Sequence, residues 1–185
     1  MQSVIVGVGG QGIVFASKVL GHIALKRGEP VVGSEVHGMS QRGGSVISHF
    51  KIGAYKSPLV RKGCADVLLA FDQMEALRSY DFLADGAHAI VNVHDTAALE
   101  NKDLQAYFAS RNIHVHAIRG YVILKEHMGG QFLFLNVLIL GAMCGAGVGN
   151  VTIDEVREAV SDLTPPKFRE ANLKGLDLGF AATRE

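Results

Sequence analysis

The sequence is poor in the residues that usually hold metals and clusters. It has only two cysteines, Cys64 and Cys144, which lie far apart and outside any C-x-x-C pair. An iron–sulfur cluster usually takes four cysteine ligands, so we expect none in this chain. The two thiols are better explained as small hydrophobic residues in a reducing compartment, and we predict a cytoplasmic protein.

Net charge and long apolar runs are also lacking. The 18 Lys and Arg residues balance the 18 Asp and Glu residues, so no broad basic surface for nucleic acid is indicated. The N-terminus has no basic segment followed by a cleavage pattern. The most apolar stretch, residues 132–148, is short for a membrane span and contains Asn136 and three glycines. We therefore expect a buried helix there, with neither a membrane nor a nucleic acid as partner.

What the sequence does have is an alternation of short apolar runs with helical periodicity, in a chain that is 48% hydrophobic. This alternation is typical of a three-layer α/β/α sandwich with a Rossmann-like start, here as one domain over residues 1–185. Residues 45–52 alternate in polarity, which leaves room for a mixed sheet among mainly parallel strands. Strands are predicted at residues 3–8, 30–33, 45–52, 65–71, 88–93 and 113–118. Helices are predicted at residues 11–27, 72–83, 96–110 and 131–144, after Thr152, and after Pro165.

A glycine loop, Gly7-Val8-Gly9-Gly10-Gln11-Gly12, lies between the first predicted strand and the first predicted helix. Such a loop allows close backbone approach and points helix N–H groups at an anion. Glu35 follows the second strand, where the dinucleotide fingerprint places a ribose-binding acid. Two interpretations stay open: a site for NAD or FAD, or a tight turn that binds no nucleotide.

A second loop, residues 35–44, carries an unusual density of functional groups. Arg42 stands beside two glycines, which suits a clamp on a phosphate or carboxylate, or an ion pair with a partner chain. Because the loop follows a strand parallel to the first, we expect it at the same sheet edge as the glycine loop. Its candidate ligand or interface residues are Glu35, His37, Met39, Ser40, Gln41, Arg42, Gly43 and Gly44.

The evidence for other candidate site residues is weaker. His114 and His116 would share one face of a strand, but no third ligand follows in sequence, so surface histidines are the better interpretation. Asp66 and Asp72 are expected to be caps or turn residues, and residues 125–130 a connection. No nucleophile motif accompanies His37. The sequence therefore assigns neither a catalytic residue nor a metal site.

Taken together, the two loops resemble the gamma subunit or domain of 2-oxoacid:ferredoxin oxidoreductases. Pyruvate/ketoisovalerate oxidoreductase gamma and the indolepyruvate oxidoreductase small subunit belong to this group. The resemblance rests on residues 7–12 and on residues 35–46, and it covers nearly the whole chain. It continues through residues 65–71, through Asn136 and Gly141, and through Asn172 and Gly179.

The resemblance implies a complex that oxidatively decarboxylates a 2-oxoacid to an acyl-coenzyme A and reduces ferredoxin. Thiamine diphosphate, Mg and iron–sulfur clusters would reside on partner subunits, and this chain would carry none and be inactive alone. Its partners would be the thiamine-binding and cluster-binding subunits, or a second copy in a homodimer when it is isolated. We expect the two loops to dock these subunits and to shape the coenzyme A entrance. The alternative is a free-standing Rossmann-like protein that binds NAD or FAD.

Overall fold

The computed structural model describes residues 1–37 and 43–184. Its strands are β1 (Gln2–Val8), β2 (Val31–His37), β3 (Ser45–Ile52), β4 (Ala65–Ala70), β5 (Leu83–Asn92) and β6 (His114–Ile118). Its α-helices are α1 (Ile13–Lys26), α2 (Gln73–Leu77), α3 (Lys102–Ser110), α4 (Gly120–Met128), α5 (Leu135–Gly145), α6 (Ile153–Leu163) and α7 (Pro166–Ala182).

The strands form one mixed sheet in the order β2-β3-β1-β4-β5-β6. Strands β1, β4, β5 and β6 are parallel, and β3 runs antiparallel to both β1 and β2. The mixed component predicted from the alternation of residues 45–52 is confirmed. Strand β2 keeps the direction of β1, but it pairs with β3 and not with β1. The carboxyl ends of β1 and β2 therefore lie at one edge of the sheet with β3 between them.

Helices cover both faces of the sheet, which confirms the three-layer α/β/α architecture. On one face, Ile5, Leu69 and Ile90 pack against α1, α4, α5 and α6. On the other face, residues such as Val6 and Leu68 pack against the thinner layer formed by α2, α3 and the segments around them. The apolar stretch that contains α5 is core, and no helix in the described part of the chain could cross a membrane.

Helices α5 and α7 pack unusually closely through four glycines. A Cβ atom on Gly141 would overlap the main-chain oxygen of Leu176, and one on Gly179 would overlap the main-chain oxygen of Leu138. Gly145 and Gly175 lie one turn away in the same contact. Only glycine lets the two backbones approach to this distance.

Several predicted boundaries are wrong. The helix predicted at residues 72–83 ends at Leu77, and β5 begins at Leu83 and not at residue 88. The helix predicted at residues 96–110 is divided, because Asn101 accepts hydrogen bonds from two amides and starts a new helix, α3. Residues 125–130 were expected to be a connection, but α4 occupies residues 120–128.

Candidate functional site

The glycine loop is closed by its own chain. The Gly9 N–H donates to the Gly44 oxygen at 2.9 Å, and the Gly43 N–H donates to the Gly9 oxygen at 3.5 Å. This contact continues the β1–β3 pairing, in which Val8 lies opposite Ser45. The expectation that the glycine loop and the end of the second loop share one sheet edge is thereby confirmed for the described residues. The Gly9 amide, which a phosphate cradle would point at its ligand, is already bonded within the protein.

The side chain of Gln11 ties three elements together. Its Oε1 accepts from the Val8 N–H at 2.7 Å. Its Nε2 donates to the Phe71 oxygen at 3.3 Å and to the Tyr121 hydroxyl at 2.8 Å. These bonds join the ends of β1 and β4 to α4, so Gln11 holds the edge of the sheet together and is not directed at solvent.

The glycines of the loop serve different purposes. A Cβ on Gly7 would lie 2.6 Å from the Gln11 Oε1 and 2.9 Å from the Phe71 Cβ. Gly12 has a left-handed φ of 85°, begins α1, and packs against the amide of Asn136. Gly10 also has a positive φ, of 105°, but it is exposed and faces open space. Within the loop, Gly10 is therefore the glycine whose conformation leaves a free surface for a ligand or partner.

The second loop is described only at its two ends. Glu35 and His37, expected in a loop, belong to β2, where they pair with Ser48 and Val46. Gly43 and Gly44 approach Gly9, as stated above. The side chain of His37 and the residues Gly38, Met39, Ser40, Gln41 and Arg42 lie outside the described residues. The Arg42 clamp therefore stays a prediction.

Glu35 does not occupy the position of a ribose-binding acid. It lies opposite Ser48, which in turn lies opposite Ile5, two residues before the glycine loop begins. Strand β3 stands between it and β1, so Glu35 is two strand spacings, about 9–10 Å, from the β1 backbone. In the dinucleotide fingerprint the acid follows the strand that neighbours the first one.

A buried acid, Glu75, belongs to the same edge and was missed by sequence reasoning. Its Oε2 accepts from the Ser45 hydroxyl at 2.6 Å, and its Oε1 pairs with Arg78. The residue is 4% exposed. Asp72 caps the same helix, as predicted, by accepting from the amides of Met74 and Glu75. The Asp-x-x-Glu spacing of a helix start was the signal that could have identified it.

Asn92 is a second polar residue that the sequence did not reveal. It is fully buried, its Nδ2 donates to the Phe71 oxygen at 3.0 Å, and its Oδ1 accepts from the Gly120 N–H at 2.9 Å. It thus joins the ends of β4 and β5 to the start of α4. A lone Asn at the end of an apolar strand has no distinctive sequence pattern.

A third histidine, His88, joins the predicted pair. Its Nδ1 lies 3.2 Å from the Nε2 of His116, and its ring stacks on His114 with centroids 4.9 Å apart. Burial, followed by the neighbouring histidines, lowers the pKa of His88 and His116. Among the described residues, however, no group of three potential ligands is arranged to hold a metal ion.

The cysteines do not suit an iron–sulfur cluster. Cys144 lies in α5, and burial, followed by the Glu155 carboxylate, raises the pKa of its thiol to about 12. A buried thiol with a raised pKa resists forming the thiolate that ligates iron. Cys64 is partly exposed and is also a free thiol. The donor set thus falls short of what such a cluster needs.

The carboxyl edge of the sheet is bordered by exposed apolar side chains. Val36 at the end of β2 is 51% exposed, Met74 on α2 is 47% exposed, and Leu133 just before α5 is 62% exposed. Leu77 and Phe132 add to the same border at 39% and 49% exposure. Groups of exposed apolar residues with polar neighbours are typical of protein contact surfaces. We name these five residues the apolar rim.

Comparison with known proteins gives one consistent result. The family model "Pyruvate ferredoxin/flavodoxin oxidoreductase" matches residues 2–182. Indolepyruvate oxidoreductase subunit IorB of Pyrococcus horikoshii is 34% identical over 98% of this chain and 95% of its own length. These two matches cover the chain from β1 to α7.

Comparison with solved structures leads to the same family of proteins. The crystal structure of the keto/oxoacid ferredoxin oxidoreductase gamma subunit from Geobacter sulfurreducens matches with 27% identity and a TM-score of 0.73, over 98% of this chain and 97% of that one. The 2-oxoglutarate:ferredoxin oxidoreductase from Magnetococcus marinus contains the same fold, with a TM-score of 0.78 and 19% identity. It matches the whole of this chain with 31% of its own, so there the fold is one part of a longer chain.

Proposed function

The chain belongs to the pyruvate ferredoxin/flavodoxin oxidoreductase family, and we propose that it is the gamma-type subunit of a complex that converts a 2-oxoacid to an acyl-coenzyme A. In this proposal the electrons pass to ferredoxin, and thiamine diphosphate, Mg and the iron–sulfur clusters reside on partner subunits. The chain works in the cytoplasm and is inactive alone. Its similarity to an indolepyruvate oxidoreductase subunit favours an aryl 2-oxoacid such as indolepyruvate as the substrate.

The observation that carries the proposal is the apolar rim around a closed glycine loop. A free-standing enzyme would gain nothing from exposing Met74 and Leu133 beside its active edge, because exposed apolar surface promotes association. A subunit that buries this edge against a partner removes that surface from water. The rim therefore favours docking at the carboxyl edge.

The alternative, a free-standing protein that binds NAD or FAD, has less support. The Gly9 amide is bonded to Gly44, the Gln11 side chain is bonded within the fold, and Glu35 lies away from the loop. A dinucleotide would have to displace the Gly44 oxygen before its phosphates could bind the Gly9 amide. Tight binding of NAD or FAD to the isolated chain, measured by calorimetry, would restore the alternative.

In this proposal, the part of the carboxyl edge that the apolar rim leaves open lines the coenzyme A entrance. Gly10 presents exposed backbone there, and Arg42 is expected nearby with a charge that suits a phosphate. In the proposal these groups line the entrance after a partner subunit covers the rim.

Purification from the native cell tests the assembly. The tagged chain should bring down a large subunit that contains thiamine diphosphate and iron–sulfur clusters, and the complex should oxidise a 2-oxoacid only when coenzyme A is present. Recovery of a ligand-bound, active monomer would reject the proposal.

Arg42→Ala tests the second loop. We expect assembly or acyl-transfer turnover to fall about tenfold, the loss of one charge-assisted contact. Arg61→Ala is the matched control, because Arg61 is exposed and lies after β3, at the opposite edge of the sheet. Equal assembly and kinetics for the two variants would remove Arg42 from the site.

A further inference from the structure

A cavity of about 330 Å³ opens where the first turns of three helices meet. Phe15 lies in the first turn of α1, Asn136 in that of α5, and Phe168 in that of α7. Leu133 and Leu163 complete the apolar wall. All of the lining residues are uncharged, so the cavity suits an apolar group.

Thr164 and Asn172, in the cavity wall, are polar and buried. The Thr164 Oγ1 is closed to solvent and makes no hydrogen bond with any described atom, so it does not face the cavity. The Asn172 Nδ2 donates to the Phe168 oxygen at 2.9 Å. The surface that the cavity presents to an incoming group is therefore mainly apolar.

The mouth of the cavity is unusually apolar for a surface. Leu133 is 62% exposed, Phe168 is 44% exposed and Leu163 is 37% exposed. Phe132, at 49%, stands beside Leu133. Interface anchors are typically large side chains that insert into well-packed pockets from which water is excluded.

The cavity is continuous with the edge that carries the glycine loop. Asn136, in the cavity wall, packs against Gly12. The Tyr121 hydroxyl accepts from Gln11, and the ring of Tyr121 meets the ring of Phe132 with centroids 5.1 Å apart. A partner that covers the apolar rim would therefore reach the cavity without a gap.

We propose that this cavity is an anchor socket for a partner subunit, an inference that rests on the function proposed above. One large apolar side chain of the partner fills the socket. An acidic residue flanks the anchor, because the positive ends of the α1, α5 and α7 dipoles and the ammonium of Lys167 meet at the mouth. The Lys167 Nζ already lies over the Phe168 ring, 4.8 Å from its centroid.

Charge substitutions at the mouth test the socket in the assembled complex. Leu133→Asp and Phe168→Asp place a charge where the apolar anchor would enter, and both side chains are exposed enough for the free chain to fold. Leu25→Asp is the matched control, because Leu25 is 64% exposed and lies near the far end of α1. We expect the first two variants to bind the large subunit at least tenfold more weakly by size-exclusion titration, and Leu25→Asp to bind like the wild type.

The outcomes separate the two proposals. If the wild-type chain does not assemble with a 2-oxoacid oxidoreductase subunit, the proposed function fails. If the wild type assembles and Leu133→Asp assembles equally well, the function stands and the socket is rejected. Normal assembly with lost turnover in Leu133→Asp would also reject the socket, because it would indicate a small-molecule site.

A crosslinker identifies the occupant. Benzoylphenylalanine incorporated at position 133 should crosslink to a partner peptide that contains an aromatic or branched apolar residue next to an acid. The same group at position 25 is the control and should not crosslink to that peptide. A crosslink from position 133 to a second copy of this chain, or to a basic peptide, would overturn the proposed partner chemistry.

Discussion

Two groups of glycines can be compared in this molecule. In the glycine loop, Gly7 and Gly12 contact mainly side chains, those of Gln11, Phe71 and Asn136. In the α5–α7 contact, Gly141 and Gly179 face main-chain carbonyls of the opposite helix. The sequence of the loop matches a well-known ligand-binding motif, whereas the sequences of the two helices match no ligand-binding motif. In both groups, the missing side chain leaves room for other parts of the same protein to pack against the glycine. A glycine motif alone therefore does not identify a ligand site.

Whether the atoms next to a glycine belong to a side chain or to the main chain decides how much stability a substitution loses. A side chain can rotate away from an added methyl group, but a helix backbone cannot move without separating two packed helices. The helix contact should therefore tolerate substitution less well than the loop. The predictions below run from the largest expected effect to the smallest.

Gly179→Ala should destabilise the protein by about 3 kcal/mol or more, or prevent folding, because the added Cβ overlaps the Leu138 carbonyl. Urea unfolding followed by circular dichroism measures the change. Gly21→Ala in α1 is the control, since its Cβ would meet Phe50 at an ordinary 3.6 Å. There the better helix propensity should leave stability equal or raise it by about 0.5–1 kcal/mol. Equal midpoints for the two variants would contradict the close α5–α7 contact.

Gly12→Ala should cost about 2 kcal/mol. Part of the cost is the left-handed φ of 85°, which a residue with a Cβ adopts at a penalty of roughly 1–2 kcal/mol. The rest comes from moving the Asn136 amide. The double variant Gly12→Ala with Asn136→Ala should show coupling in a thermodynamic cycle. Strict additivity would mean that the two residues do not contact each other.

Gln11→Glu should cost about 1–2 kcal/mol near neutral pH, because a carboxylate oxygen cannot donate to the Phe71 carbonyl and would face it instead. Thermal unfolding measures the change. The matched control is Gln131→Glu, at an exposed position ahead of α5. If Gln11→Glu were as stable as the control but failed to assemble, Gln11 would act on a partner and not within the fold.

Gly10→Ala should have the smallest effect on folding, about 1 kcal/mol, because only its φ of 105° opposes a side chain and the space around it is open. If the loop docks a partner, assembly should fall by more than stability does. Isothermal titration with the large subunit provides the comparison. An assembly constant equal to that of the wild type would exclude Gly10 from the interface.

Much of the fold could be predicted from local patterns. The buried strands β1 and β4, the edge strand β6, the capping box that starts α6 at Thr152, and the Asp72 cap of α2 depend on residues close in sequence. The predictions that failed concerned elements defined by contacts between residues distant in sequence. The short apolar run after Gly120 was not identified as α4, because its helical face is defined by contact with Leu135 and Asn92.

The candidate site follows the same division. The sequence by itself determined the α/β class, the mixed sheet, the position of the glycine loop and the family, because these depend on residue order and spacing. It placed the start of the second loop too early, since residues 35–37 belong to β2. Only the tertiary structure decided that β3 separates β1 from β2, that Gly44 closes the glycine loop, and that Asn136 meets Gly12. Strand order and side-chain contacts arise from residues distant in sequence, and their pairing is selected by the packing of the whole core.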